Sequence, residues 1–154
     1  MSTTVQSPVA GRAVRLEDVP DPIFAQAMVG PGAAVDPLRD VVDALAPISG
    51  KLLKMMPHAY IILASDGTGV LVHLGIDTVQ LNGEGFTLLA SEGDEVVAGQ
   101  PITIYDVPSV EAAGKNPIIP VIALEKQAEN LTIADAVTSG ADVTGSDTLF
   151  TING

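Results

Sequence analysis

The chain has 154 residues, 47% hydrophobic and 17% charged, a balance that fits one globular domain with a sizeable core and excludes a disordered segment. It has no cysteine, which removes disulfides, thiolate zinc sites and cysteine nucleophiles from consideration. A formal net charge of −12 argues against nucleic acid, whose phosphates need a basic footprint, and against docking on an anionic bilayer. The same acidity fits plain solubility and also fits steering of basic protein partners.

In chain order, the opening MSTTVQSPVA has neither a basic start nor an apolar stretch, so no signal peptide is expected. Residues 1–5 read as a short tail and 6–154 as a single domain. Strand-like runs then recur at GRAVRL (11–16), GKLLKM (50–55), HAYIIL (58–63), VLVHL (70–74), FTLLA (86–90), PITIYD (101–106), IIPVIAL (118–124) and DTLFTI (147–152). Gly, Pro and Asp punctuate them, and spacing of this kind indicates an all-β sandwich or barrel. Short helices are expected at PDPIFAQAMV (20–29), at VPSVEAAG (107–114) with Ser109 as N-cap and Gly114 as terminator, and at TIADAV (132–137). Apolar runs stop far short of the ~20 residues needed to cross a bilayer.

Two stretches echo one another. SPVAGRAVRL (7–16) and APISGKLLKM (46–55) align without gaps at an offset of 39 residues, sharing Pro, a branched apolar residue, a small residue, Gly and a basic residue. This suggests a duplicated β unit whose halves pack together. EGDEVVAGQPI (92–102) has the turn-strand wording of biotinyl and lipoyl carrier domains. Lys54-Met55-Met56 lacks the Met-Lys-Met context such a carrier needs.

The chain's two histidines, His58 and His73, flank an expected hairpin across ASDGTG (64–69), where Asp-Gly lies between apolar runs. A two-residue loop at Asp66-Gly67 sets Tyr60 opposite His73 with His58 as diagonal neighbour. A loop at Ser65-Asp66 sets His58 directly opposite. Either register puts the imidazoles on one face, roughly 4.5–8 Å apart at Cα. A three-residue loop would part them, because a one-residue slip flips every side chain. Two adjacent imidazoles with Asp77 nearby suit either phosphoryl transfer through a phosphohistidine or a zinc site, since neutral imidazole at pH 7 is both nucleophile and ligand.

The run VHLGIDTVQLNGEGF (72–86) resembles the active-site signature of the glucose-type enzyme IIA domain of the bacterial phosphoenolpyruvate:sugar phosphotransferase system. The resemblance continues through EDVPDPIFAQAMVGPGAAVDP (17–37), APISGKLLKMMPHAY (46–60), EGDEVVAGQPI (92–102) and NPIIPVIAL (116–124). It implies an antiparallel β-sandwich with a shallow apolar face, in a cytoplasmic, free-standing subunit with no required cofactor. It further implies that His73 takes a phosphoryl group on Nε2 from the carrier protein HPr, that His58 is its partner, and that the group passes to a cysteine of a IIB domain. Asp77 matches the family's acid beside the site. A docking collar is expected from Ile23, Phe24, Met28, Val29, Val35, Tyr60 and Leu71, about half of them buried instead. Regulatory protein targets and an incidental zinc at His58 and His73 are compatible with this reading.

One departure stands out. Many members carry a threonine two residues before the partner histidine, and Met56 occupies that position here. The orientation of His58 must then come from Tyr60, a backbone carbonyl or water. The competing readings are a zinc hydrolase, with His73 and Asp77 at H-x-x-x-D spacing and His58 as third ligand, and a pure regulatory binding module.

Overall fold

The computed structural model describes residues 2–153. The first half contains β1 (Thr3–Gln6), β2 (Gly11–Arg15), α1 (Pro22–Ala25), β3 (Gly32–Pro37), β4 (Val41–Leu45), β5 (Gly50–Met56), β6 (Ala59–Leu63) and β7 (Gly69–His73). The second contains β8 (Phe86–Leu88), β9 (Glu95–Val96), β10 (Pro101–Asp106), α2 (Val107–Ala112), β11 (Ile119–Ala123), β12 (Leu131–Ile133), α3 (Asp135–Ser139), β13 (Asp142–Val143) and β14 (Thr148–Ile152). One large sheet runs β13-β2-β3-β11-β7-β6-β5-β9, and two three-stranded sheets, β4-β10-β8 and β1-β14-β12, complete an antiparallel sandwich.

The main core lies between these layers. The large sheet contributes Val35, Leu52, Tyr60, Ile62, Val70, Val72, Ile119 and Val121, which meet Ala44, Ile102 and Tyr105 from one small sheet and Val5, Leu149 and Phe150 from the other. The opposite face of the large sheet carries a second, smaller cluster: Ala34, Ala59, Leu71 and Ile122 under Leu16, Val19 and Phe24. Alternation along β7 accounts for the division, with Val70 and Val72 facing the core and Leu71 and His73 facing out.

The duplicated stretches begin β2 and β5, and they clasp each other. Gln6 N–H donates to the Pro47 carbonyl at 2.9 Å, and Leu45 N–H donates to the Pro8 carbonyl at 2.9 Å, a reciprocal pair at the 39-residue offset. The shared glycines are needed for close approach: a Cβ on Gly11 would lie 2.2 Å from the Asp36 carbonyl oxygen, and one on Gly50 would lie 2.3 Å from that of Leu63.

Several expectations need correction. Residues 3–5 are not a tail but the body of β1, paired to β14 with Val5 fully buried. The N-cap of α2 is Asp106, whose carboxylate accepts from Ser109 N–H at 3.1 Å, so Ser109 is the recipient of the cap. The third helix starts at Asp135, because residues 131–133 are paired to β14. Strands β3 and β4 had no counterpart among the expected runs.

Candidate functional site

His73 closes β7 at the edge of the outer cluster. Ala59 stands directly opposite it, and Ala64 N–H bonds the Thr68 carbonyl at 2.8 Å around the three residues 65–67. This is the register expected to separate the histidines. They meet nonetheless, with ring centroids 5.2 Å apart in an edge-on arrangement. The reason is that His58 does not belong to a pleated strand: it sits in the two-residue Pro57-His58 turn between Met56 and Ala59. Strand alternation does not govern a turn residue, and its ring is free to swing toward His73 while its carbonyl accepts from Leu74 N–H at 2.7 Å.

The His73 ring is fixed from two sides. Its Nδ1 lies 2.6 Å from the Gly75 carbonyl oxygen. A carbonyl only accepts, so Nδ1 carries the proton, and neutral His73 presents its lone pair at Nε2. Phe24 packs on the ring at a centroid distance of 5.2 Å. Gly75 reaches its conformation with φ +89°, and a Cβ there would lie 2.5 Å from Thr78 Cγ2. Glycine is therefore required where the chain turns back on its own histidine.

Burial lowers the pKa of His73 below the ordinary imidazole value, against the Gly75 hydrogen bond and the negative charges of Asp21 and Asp77, which raise it. His58 is also lowered, first by burial and then by repulsion from His73. Both rings are thus held toward the neutral, nucleophilic form at pH 7.

Asp77 is exposed in a left-handed conformation at the start of the 78–81 turn. Asp21, unremarked in the sequence, caps α1 by accepting from Ile23 N–H at 2.9 Å, and its charge reaches His73. The Asp-Pro pair at 21–22 was the available signal, an N-cap followed by proline at the first helical position.

The collar residues divide. Met28 and Ile23 are 70% and 52% exposed, and Val29 is also exposed. Phe24 and Leu71 are buried in the outer cluster beneath the site. Val35 and Tyr60 are fully buried on the other side of the sheet and cannot belong to a docking face. Val79, exposed just beyond Asp77, is an apolar rim residue that the sequence reading missed. Tyr60 is equally unable to orient His58, since its hydroxyl donates to the Leu45 carbonyl at 2.7 Å inside the core. Met56 is exposed and directly opposes Ala59 across the turn.

Among the described residues no group of three or more His, Cys, Asp or Glu is placed to hold a metal ion. The histidine pair offers two imidazoles, short of the three protein ligands a catalytic zinc uses, so the hydrolase reading is not supported.

The family model for the phosphoenolpyruvate-dependent sugar phosphotransferase system, EIIA 1, matches residues 3–129. The chain belongs to this family. It is 40% identical over 134 residues to the glucose-specific EIIA component of Staphylococcus aureus, covering 85% of this chain and 80% of that protein. The corresponding component of Staphylococcus epidermidis is 38% identical over the same length. The fold superposes on the glucose permease IIA of Mycoplasma capricolum with a TM-score of 0.88 at 30% identity, over 98% of this chain and 96% of that one. As an EIIA domain the chain is a phosphoryl-relay component of the sugar phosphotransferase system, a phosphotransferase that works through a phosphohistidine. No helix among the described residues is long and apolar enough to cross a membrane.

Proposed function

We propose that Nε2 of His73 is the atom that carries the phosphoryl group, received from phospho-HPr and passed to a cysteine of a IIB domain in the cytoplasm. The observation that carries this is the 2.6 Å contact between Nδ1 and the Gly75 carbonyl, which leaves Nε2 as the free nucleophile. In the step, the Nε2 lone pair attacks phosphorus as the donor's P–N bond breaks and the donor imidazole takes back its electron pair. Positive charge spreading over the His73 ring is met by the Gly75 carbonyl, so the bond to Nδ1 tightens in the transition state. Catalysis of such a loose transfer is chiefly positioning, which the Phe24 ring and the Gly75 carbonyl supply. His58, neutral and edge-on to His73, donates to a phosphoryl oxygen. Exposed Ile23, Met28, Val29 and Val79 exclude water when a partner docks, protecting the labile P–N bond. The acidic surface steers a basic partner to that face.

The test is phosphorylation by phosphoenolpyruvate, enzyme I and HPr, followed by mass spectrometry of the peptide spanning 71–86. Label on His73 is expected, and a His73→Ala variant should take up none. His58→Ala should still accept phosphate but pass it to IIB more slowly. Stable label on His73→Ala would reject the assignment, and unaltered onward transfer would remove the role of His58.

A further inference from the structure

The Gly75 carbonyl can fix the His73 tautomer only if Gly75 is itself held still, and besides Thr78 it is held by residues 115–118, which lead into the neighbouring strand β11. Ile76 N–H, one residue beyond Gly75, donates to the Asn116 carbonyl at 2.9 Å. The vacant Cβ position of Gly75 is walled by Thr78 Cγ2 and by that segment and its neighbour: the Tyr105 hydroxyl lies 3.1 Å from it and the Asn116 carbonyl oxygen 3.2 Å. The segment is braced twice in turn. The Asn116 side-chain oxygen accepts from Ile118 N–H at 3.0 Å, closing an Asx turn, and the Tyr105 hydroxyl donates to the Pro117 carbonyl at 2.9 Å.

We infer that Tyr105 and Asn116 are positioning residues for phosphoryl acceptance, acting through the Gly75 carbonyl on Nδ1 of His73; this rests on His73 being the acceptor. Neither hydrogen-bonds the histidine. Tyr105 is fully buried, and its hydroxyl reaches past the core to a segment that seats Gly75. A phenylalanine would fill the core equally well, so the hydroxyl's contribution lies at this edge. Asn116 is exposed, and its side chain does nothing for the core. Loosening either brace lets the Gly75 carbonyl drift from Nδ1, which frees the proton to move to Nε2 and blocks the nucleophile.

The experiment uses the full chain labelled with ¹⁵N-histidine. Tautomer populations of His73 are read by NMR in the wild type, Tyr105→Phe, Asn116→Ala and Asn116→Ser. The rate of phosphorylation by phospho-HPr and the unfolding midpoint are measured alongside. Wild-type His73 should be protonated almost wholly at Nδ1. Tyr105→Phe and Asn116→Ala should each raise the Nε2–H form and slow acceptance by about threefold to tenfold, the size of one neutral hydrogen bond. Asn116→Ser keeps an uncharged acceptor for Ile118 N–H and should recover most of the loss. Tautomer and rate within twofold of wild type in Asn116→Ala, whose site is exposed and does not threaten the core, would overturn the proposal. So would a drop in stability with no tautomer change. If His73→Ala still takes label, the acceptor assignment itself has failed, an outcome separate from either of these.

Discussion

The two faces of the eight-stranded sheet are built from the same strands but to different ends. The inner face meets two further sheets and is sealed, so that Tyr60, Ile62, Val70 and Val72 are all fully buried. The outer face is roofed by residues 16–25, with Ile76 and Ile118 in the same cluster, and beside Phe24 the two histidines emerge, His73 leaning on the Phe24 ring. One residue of register thus separates structural from chemical positions along β7. Half-burial is useful here: enough roof to keep the imidazoles neutral, too little to keep out a partner.

The contrast predicts a split between stability and activity. Ile62→Ala, on the inner face, should cost about 2–5 kcal/mol by leaving a cavity, read as a lower urea midpoint, while the folded fraction still accepts phosphate. Ile23→Ala, on the outer rim, should change stability by no more than about 0.5 kcal/mol yet slow acceptance from HPr. The reverse pattern would mean that the faces have been assigned wrongly.

Phe24→Ala probes the roof itself. Its loss should cost about 2 kcal/mol, the transfer term alone, because water can enter where the side chain was. Burial is the leading cause of the lowered His73 pKa, so removing Phe24 should raise that pKa toward 6.5, followed by NMR titration. The sign for stability follows. A histidine whose folded pKa is depressed contributes fully above its unfolded value of about 6.5 and loses that contribution as pH falls through 6.5 toward the lowered folded value, since the unfolded chain takes up the proton first. Wild type should therefore lose stability on acidification across that window, and Phe24→Ala should lose less.

A small stabilising effect is expected across the core, in strand β10 of the covering sheet. Thr103 is fully buried, and its hydroxyl has no hydrogen-bond partner. Thr103→Val should raise stability by about 1 kcal/mol through removing that orphan, with phosphoryl acceptance unchanged. A loss of stability on calorimetry would show that the hydroxyl is satisfied in solution.

Much of this was legible in the sequence, for identifiable reasons. The all-β class followed from spaced apolar runs, and β10 was bounded correctly because Pro101 and Asp106 punctuate it. Strand β3 escaped because it lies between β2 and β11 with Ala33, Ala34 and Val35 all buried, so no alternation marks it. Tail residues 3–5 escaped because TTVQ pairs with a strand some 145 positions away, which no local pattern reports. At the site, the convergence of His58 and His73 was expected for a reason that fails, since the loop has the parting register. The turn at Pro57-His58 restores the contact, and turn side chains are not ordered by period. Tyr60 and Val35 were placed on the docking face because a one-residue register difference is invisible in a run as uniformly apolar as AYIIL or AAV.

The central claim is that the lone pair on Nε2 of His73 is exposed because Nδ1 is tied to Gly75. It is met most directly by NMR of the ¹⁵N-histidine-labelled chain before and after phosphorylation by phospho-HPr. The account predicts His73 protonated at Nδ1 beforehand and phosphorus bonded to its Nε2 afterward, with His58 unmodified. Phosphorus on Nδ1 of His73, or on His58, would contradict it.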